Sequence, residues 1–94
     1  MAFRLRLSRR LARQWQVKIR DREREEPPHV TILRRTKAWR VDLRTGKFLD
    51  RVPDPSEVPR ALMEEIQGRW SELQQRWDEM YPENPVGSSE DASD

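Results

Sequence analysis

At 94 residues and 34% hydrophobic content, the chain has material for one small domain and no second core. It lacks cysteine, which excludes a disulfide framework and a cysteine-ligated metal, and no apolar run approaches the roughly 20 residues needed to cross a bilayer. The formal net charge of +2 conceals a polarity: Met1 to Arg51 holds 16 Lys or Arg against 6 Asp or Glu, whereas Val52 to Asp94 holds 3 against 11. Such asymmetry points to contact with nucleic acid or an acidic partner, or to two halves that neutralise one another within the fold.

Met1 to Arg20 contains seven Lys or Arg and no acid, a superficial likeness to a transit peptide or a surface-seeking amphipathic helix. The basic composition continues past any cleavage point, and no secretory signal is readable, so a cytoplasmic chain with no membrane contact is expected. Residues 1–13 are set apart as a basic arm. Within it Phe3-Arg-Leu-Arg-Leu7 alternates like a strand, while Phe3, Leu7, Leu11 and Trp15 recur at helical spacing; strand, helix and mobile arm all stay open.

A single α+β domain is expected over residues 14–81. Trp15, Val17 and Ile19 alternate with Gln16, Lys18 and Arg20, the period of a half-buried strand. The charged run Asp21 to Glu26 ends in Pro27-Pro28 and reads as a loop. Val30 and Ile32 then alternate with His29, Thr31 and Leu33, and Trp39, Val41 and Leu43 alternate with Arg40 and Asp42, most simply as a hairpin. Gly46 in Arg44-Thr-Gly-Lys47 supplies the positive φ of a turn, after which Phe48-Leu49 can add a short further strand.

Pro53-Asp-Pro-Ser56 is a breaker cluster. Beyond it Val58, Leu62, Ile66, Trp70, Leu73 and Trp77 fall at spacings of three and four, one apolar stripe on a helix. Pro59 fits only its first turn, so the helix is predicted to begin at Ser56 to Pro59 and to stop near Tyr81-Pro82, with Gly68 inside it at a cost of about 1 kcal/mol. Residues 82–94, polar, acidic and nearly free of sizeable apolar groups, are expected to form a disordered tail.

The predicted architecture is α+β: a small three- to four-stranded antiparallel sheet packed on one face by a long C-terminal helix. Placing the Trp, Val, Ile and Leu set against the helix sends Gln16, Lys18, Arg20, His29, Thr31, Arg35, Arg40 and Arg44 to the other face, with Asp42 as its only acid. Lys18, Arg20, Arg35, Arg40 and Arg44 are therefore the candidate contacts to nucleic acid or an acidic partner. Arginines that bind phosphate would give affinity with little sequence information and a steep dependence on salt.

His29 is the only histidine and stands at the entrance to a strand among arginines. It is the candidate catalytic residue, a general base that would deprotonate an RNA 2′-hydroxyl while cations stabilise the phosphorane; the plainer reading is a histidine hydrogen-bonded at a strand edge. No metal ligand set and no Gly-rich phosphate loop is readable, and no cofactor is expected. The four tryptophans fall on apolar stripes and read better as core than as a base-stacking platform.

The order Glu26-Pro-Pro-His29-Val-Thr-Ile32, Trp39-Arg-Val-Asp-Leu43-Arg-Thr-Gly46-Lys-Phe-Leu49, Val58-Pro-Arg-Ala-Leu62 and Glu72-Leu-Gln-Gln-Arg-Trp77 resembles a bacterial family of small proteins. Its members carry a Pro-Pro-His-x-His-Val strand, an Asp/Glu-Thr-Gly hairpin and a Leu-Pro-opened helix ending in Glu-Leu-x-x-x-Trp. The match spans Gln14 to Met80. The resemblance implies an association with toxin–antitoxin-type gene pairs and a sheet-plus-helix fold whose shape is similar to that of small RNA-cleaving toxins with one strand histidine. The family's second histidine position holds Thr31, so His29 alone carries over.

Three functions follow as expectations. The first is a regulatory or toxin–antitoxin-like binding module whose basic sheet face contacts RNA, DNA or an acidic protein. The second is a ribonuclease toxin with His29 as general base. The third is a protein-interaction module, a homodimer in which the acidic helix of one copy meets the basic arm of another.

Overall fold

The alternating apolar residues of the basic half build an antiparallel meander. In the computed structural model, which describes residues 2–20 and 26–87, the chain order is β1 (Phe3–Arg4), α1 (Arg9–Ala12), β2 (Gln16–Ile19), β3 (His29–Arg34), β4 (Lys37–Asp42), a 3₁₀ turn (Pro55–Glu57), α2 (Arg60–Gly68) and α3 (Trp70–Met80). The four-stranded sheet has the order β1-β2-β3-β4. Phe3 faces Ile19 and Arg4 faces Lys18; Val17 faces Ile32 and Lys18 faces Thr31; Val30 faces Val41, Thr31 faces Arg40 and Ile32 faces Trp39. The α+β class read from the sequence is the class of the structure.

Because side chains alternate, this register stacks Val17, Ile32 and Trp39 in one row and Ile19, Val30 and Val41 beside it, all fully buried. Leu62 and Ile66 of α2 and Leu73 and Trp77 of α3 close over them, also at zero exposure. Trp15 and Trp39 touch at a ring separation of 5.6 Å, so two of the tryptophans meet inside the core.

The basic arm is part of the sheet. Phe3–Arg4 pairs with β2, the Leu5 N–H donates to the Val17 carbonyl at 2.8 Å, and Leu5 is buried. Of the open readings of this segment, its period-2 alternation wins at the start and one helical turn, α1, follows. The reason is burial: pairing extends the core row by Phe3 and Leu5, which a free helix could not achieve.

Apolar spacing predicts one helix to Tyr81; the structure has two, separated at Arg69, whose φ of −118° and ψ of 21° leave the helical region. Gly68 weakens the helix there, and the arm fixes the break. The Arg69 guanidinium donates to the Arg6 carbonyl at 3.1 Å and to Glu72 at 2.9 Å, and Glu65 accepts the Ser8 N–H at 2.9 Å. The helix also starts later than predicted: Asp54 caps the 3₁₀ turn through the Ser56 N–H, and Pro59 becomes the residue before the first turn of α2.

After β4, Asp42 folds the chain back by accepting the Arg44 and Thr45 N–H groups, and Gly46 takes a φ of +77°. Phe48 then bridges to Val41, flanked by hydrogen bonds from Asp42 N–H to Lys47 and from Leu49 N–H to Arg40. The short further strand expected at Phe48-Leu49 is reduced to this single bridge, and the fourth strand of the sheet is β1.

Residues 82–87, expected to open a disordered tail, instead pack on the end of the sheet. The Trp77 indole donates to the Asn84 carbonyl at 2.7 Å, Asn84 donates to the Glu26 carbonyl at 2.7 Å, and Asp78 accepts the Val86 N–H at 2.7 Å. The Tyr81 hydroxyl donates to the Arg20 carbonyl, and Val86 is buried. Val86 anchors the segment, and its carbonyl and that of Pro85 accept from the Arg44 guanidinium. The remaining tail, 88–94, lies outside the described residues, as do residues 21–25 of the β2–β3 loop.

Candidate polyanion-binding face

The sheet face turned away from α2 and α3 carries Lys18 of β2, and Arg20 directly follows that strand. Lys18 lies between Arg4 on β1 and Thr31 on β3 in the register, with Arg40 next in the same row. Placing Arg4 and Lys18 directly opposite one another sets like charges side by side, which is unfavourable unless an anion joins them. Among the described residues, neither forms an ion pair, and nor do Arg6, Arg9, Arg10, Arg13 and Arg20; the carboxylates that pair do so with Lys37, Arg40, Arg69, Arg76 and His29.

Arg6, beyond the end of β1, lies at the rim of the patch toward Glu65 and Arg69. With Arg4 and Gln16 it lines a shallow cleft of about 340 Å³ where the chain curls from β1 through α1 back to Trp15. Arg4, Arg6 and Arg20 are exposed and Lys18 is half-buried.

Two of the cations expected on this face are otherwise engaged. Arg40 makes a bidentate contact with Asp50, at 3.0 and 2.8 Å, and a third hydrogen bond to Glu26 at 3.1 Å. Hydrogen bonding to Asp50 holds the guanidinium pKa above its ordinary value, and the same contact, ahead of the opposing effect of burial, lowers that of the Asp50 carboxyl. Asp42 is thus not the only acid here, because the loop after β4 and the residue before Pro27 bring in two more. Arg44 points its Nε and one terminal nitrogen at the carbonyls of Val86 and Pro85, at 2.7 and 3.0 Å. It closes the end of the fold.

Arg35 sits in the β3–β4 turn with a φ of 54°, exposed but at the end of the sheet remote from His29. Its neighbour Arg34 lies 5.3 Å from the Trp15 ring, a cation–π contact at the same end.

His29 departs furthest from expectation. It pairs with Asp42 across β3 and β4, yet its ring is completely buried, 5.6 Å from Trp77. Its Nδ1 lies 2.8 Å from the Pro27 carbonyl, which fixes that nitrogen as the N–H donor, and Nε2 lies 3.8 Å from a Glu26 carboxylate oxygen. Lys18, Arg20, His29, Arg40 and Arg44 therefore do not form one exposed cluster. The ring is met by Trp77 of α3 and by Pro27 and Glu26 of the preceding loop, contacts invisible to strand alternation.

Sequence reasoning did not place Arg4 and Arg6 on this face. Their signal was the Phe3-Arg-Leu-Arg-Leu7 alternation, which puts both arginines on the side opposite Phe3 and Leu5 once the segment is read as a strand. Several acids of the helices are engaged elsewhere: Glu72 pairs with Arg69 at the break before α3, Glu79 pairs with Arg76 within α3, and Glu65, its carboxyl held below its ordinary pKa by the Ser8 N–H, is bound to the arm backbone. Among the described residues no group of three or more His, Asp or Glu side chains is arranged to hold a metal ion, and no helix is long and apolar enough to cross a membrane. No family model matches the chain, and no curated protein and no solved structure does so, which leaves the chemistry of the face to its own geometry.

Proposed function

We propose that this chain is a small binding module whose β1–β2 face, centred on Arg4, Lys18 and Arg20 and extended by Arg6, contacts a polyanion, with the phosphate backbone of nucleic acid as its ligand. The carrying observation is that Arg4 and Lys18 stand opposite each other across two strands with no counter-charge among the described residues. A fold pays for such a pair only with a reason to keep it. The reading shifts the candidate contacts from Arg35, Arg40 and Arg44 toward the arm.

The burial of His29 weighs against the ribonuclease reading. A general base must come within about 3 Å of the proton it takes, and this ring is at zero exposure with one nitrogen committed to Pro27. The motif resemblance favours a regulatory setting of toxin–antitoxin type, in which a module of this kind would bind rather than cut.

The test is retention on a phosphate-bearing resin at low salt. Wild-type protein is expected to bind and to elute at higher salt than Lys18→Glu or Arg20→Glu, with all variants melting alike. Passage of the wild type straight through, or unchanged elution of both variants, refutes the proposal.

A further inference from the structure

The surface of the described residues offers charge without rings. Trp15, Trp39 and Trp77 are buried, while Phe3, Phe48 and Trp70 pack against the core as partly buried groups. The single large apolar side chain that stands exposed is Val52, in the loop before the 3₁₀ turn. Single-stranded nucleic acid is held by aromatic platforms on which successive bases stack, each worth roughly 1–3 kcal/mol, together with a basic groove. This face supplies the second element and not the first.

The cations are also closely set. Lys18 on β2 and Arg20 just past its end are two residues apart, about 7 Å of extended chain, and Arg4 sits one strand over from Lys18, about 5 Å. Arg6 and Arg4 line the same cleft. A patch of this density gains most from the ligand with the densest phosphates. A duplex carries one charge per about 1.7 Å of axis, roughly twice the density of one of its strands.

The cations also ride on a regular sheet rather than on a mobile segment. Arg4 and Lys18 are held at fixed spacing by strand pairing, and the adjoining arm is pinned by Leu5 to Val17, by Ser8 to Glu65 and by Arg69 to the Arg6 carbonyl. A preordered patch suits a ligand that is itself stiff and regular, since neither partner must lose much freedom on binding. A flexible single strand would have to be ordered without bases to stack.

We infer that the preferred ligand of the β1–β2 face is the backbone of a double-stranded nucleic acid, bound without regard to base sequence through Arg4, Arg6, Lys18 and Arg20. This rests on the polyanion reading above and narrows it. Contacts to phosphate fix position on a duplex but carry no sequence information, so duplexes of unrelated sequence bind alike.

The experiment compares a duplex of about 20 base pairs, its separated strands and polyglutamate of matched charge, by fluorescence anisotropy with the full chain from about 50 to 200 mM salt. The duplex is expected to bind at least tenfold more tightly than either strand or the polypeptide, and two duplexes of unrelated sequence within about twofold of each other. With four phosphates neutralised, affinity for the duplex falls roughly 10²-fold across that salt range. Arg4→Gln, Arg6→Gln and Lys18→Gln each lower the salt slope by about 0.9, whereas Arg60→Gln on α2, of equal charge change, leaves it unchanged. Melting curves that overlay the wild type show that these surface variants remain folded. Single strands bound as tightly as duplex, polyglutamate bound as tightly as duplex, or a slope that responds equally to Arg60→Gln each overturn the duplex inference while leaving polyanion binding in place. Failure to bind any of the probes overturns both.

Discussion

Replacing Arg40 with glutamine separates a structural cation from a ligand-binding one. Arg40 lies in the same cross-strand row as Arg4 and Lys18, yet its nitrogens are spent on Asp50 and Glu26. Side-chain exposures of 37% for Arg40, 27% for Asp50 and 43% for Glu26 mean that solvent screens the pairs, so the Coulomb attraction alone is worth less than 1 kcal/mol. The bidentate geometry and the third hydrogen bond raise the total, giving an expected loss of about 1–2 kcal/mol in Arg40→Gln. In a domain of this size that corresponds to a fall in Tm of roughly 4–15 °C. Urea denaturation followed by tryptophan fluorescence reads the loss, and a double-mutant cycle with Asp50→Asn isolates the pair. The pH dependence has a defined sign. Because the folded Asp50 carboxyl is held below its ordinary value of 3.8, chiefly by Arg40, its contribution is complete above that value and is lost as pH falls through the lower folded one. The stability gap between wild type and Asp50→Asn is therefore constant from pH 7 to about 5 and narrows in stronger acid. Unaltered stability of Arg40→Gln together with weakened polyanion binding would refute the reasoning, since Arg40 would then belong to the face and not to the fold.

Two further outcomes test the packing. Gly46→Ala places a Cβ on a residue with φ of +77° where nothing lies within 4 Å, so the cost is backbone strain alone: about 1 kcal/mol by urea denaturation, with no change in polyanion binding. Trp77→Phe removes the indole donor to Asn84 and part of a fully buried ring touching His29 and Tyr81, for an expected loss of about 2–4 kcal/mol in the same measurement. A loss below about 1 kcal/mol would show that residues 81–87 do not close the sheet end as described.

The sequence by itself determined the elements whose cause is local. Alternation of Val17 with Lys18 and of Trp39 with Arg40 marks strands buried on one face, the stripe from Leu62 to Trp77 marks helix, and Gly46 marks a turn, because each pattern is the imprint of a short backbone period on a single apolar contact surface. The polarity of charge was equally legible, being a count. Tertiary structure alone decided which cations are available. Arg40 and Arg44 look identical to Lys18 and Arg20 in the alternation, but Asp50, Glu26 and the carbonyls of Pro85 and Val86 arrive from 10, 14, 41 and 42 residues away. The same holds for His29, which the strand pattern turned outward and which Trp77 of α3 meets from 48 residues away, and for the break at Arg69, where the guanidinium meets the Arg6 carbonyl 63 residues distant. Periodicity reports the face on which a side chain starts. What meets it there depends on loops and chain ends, whose positions follow from long-range packing and leave no repeat in the sequence.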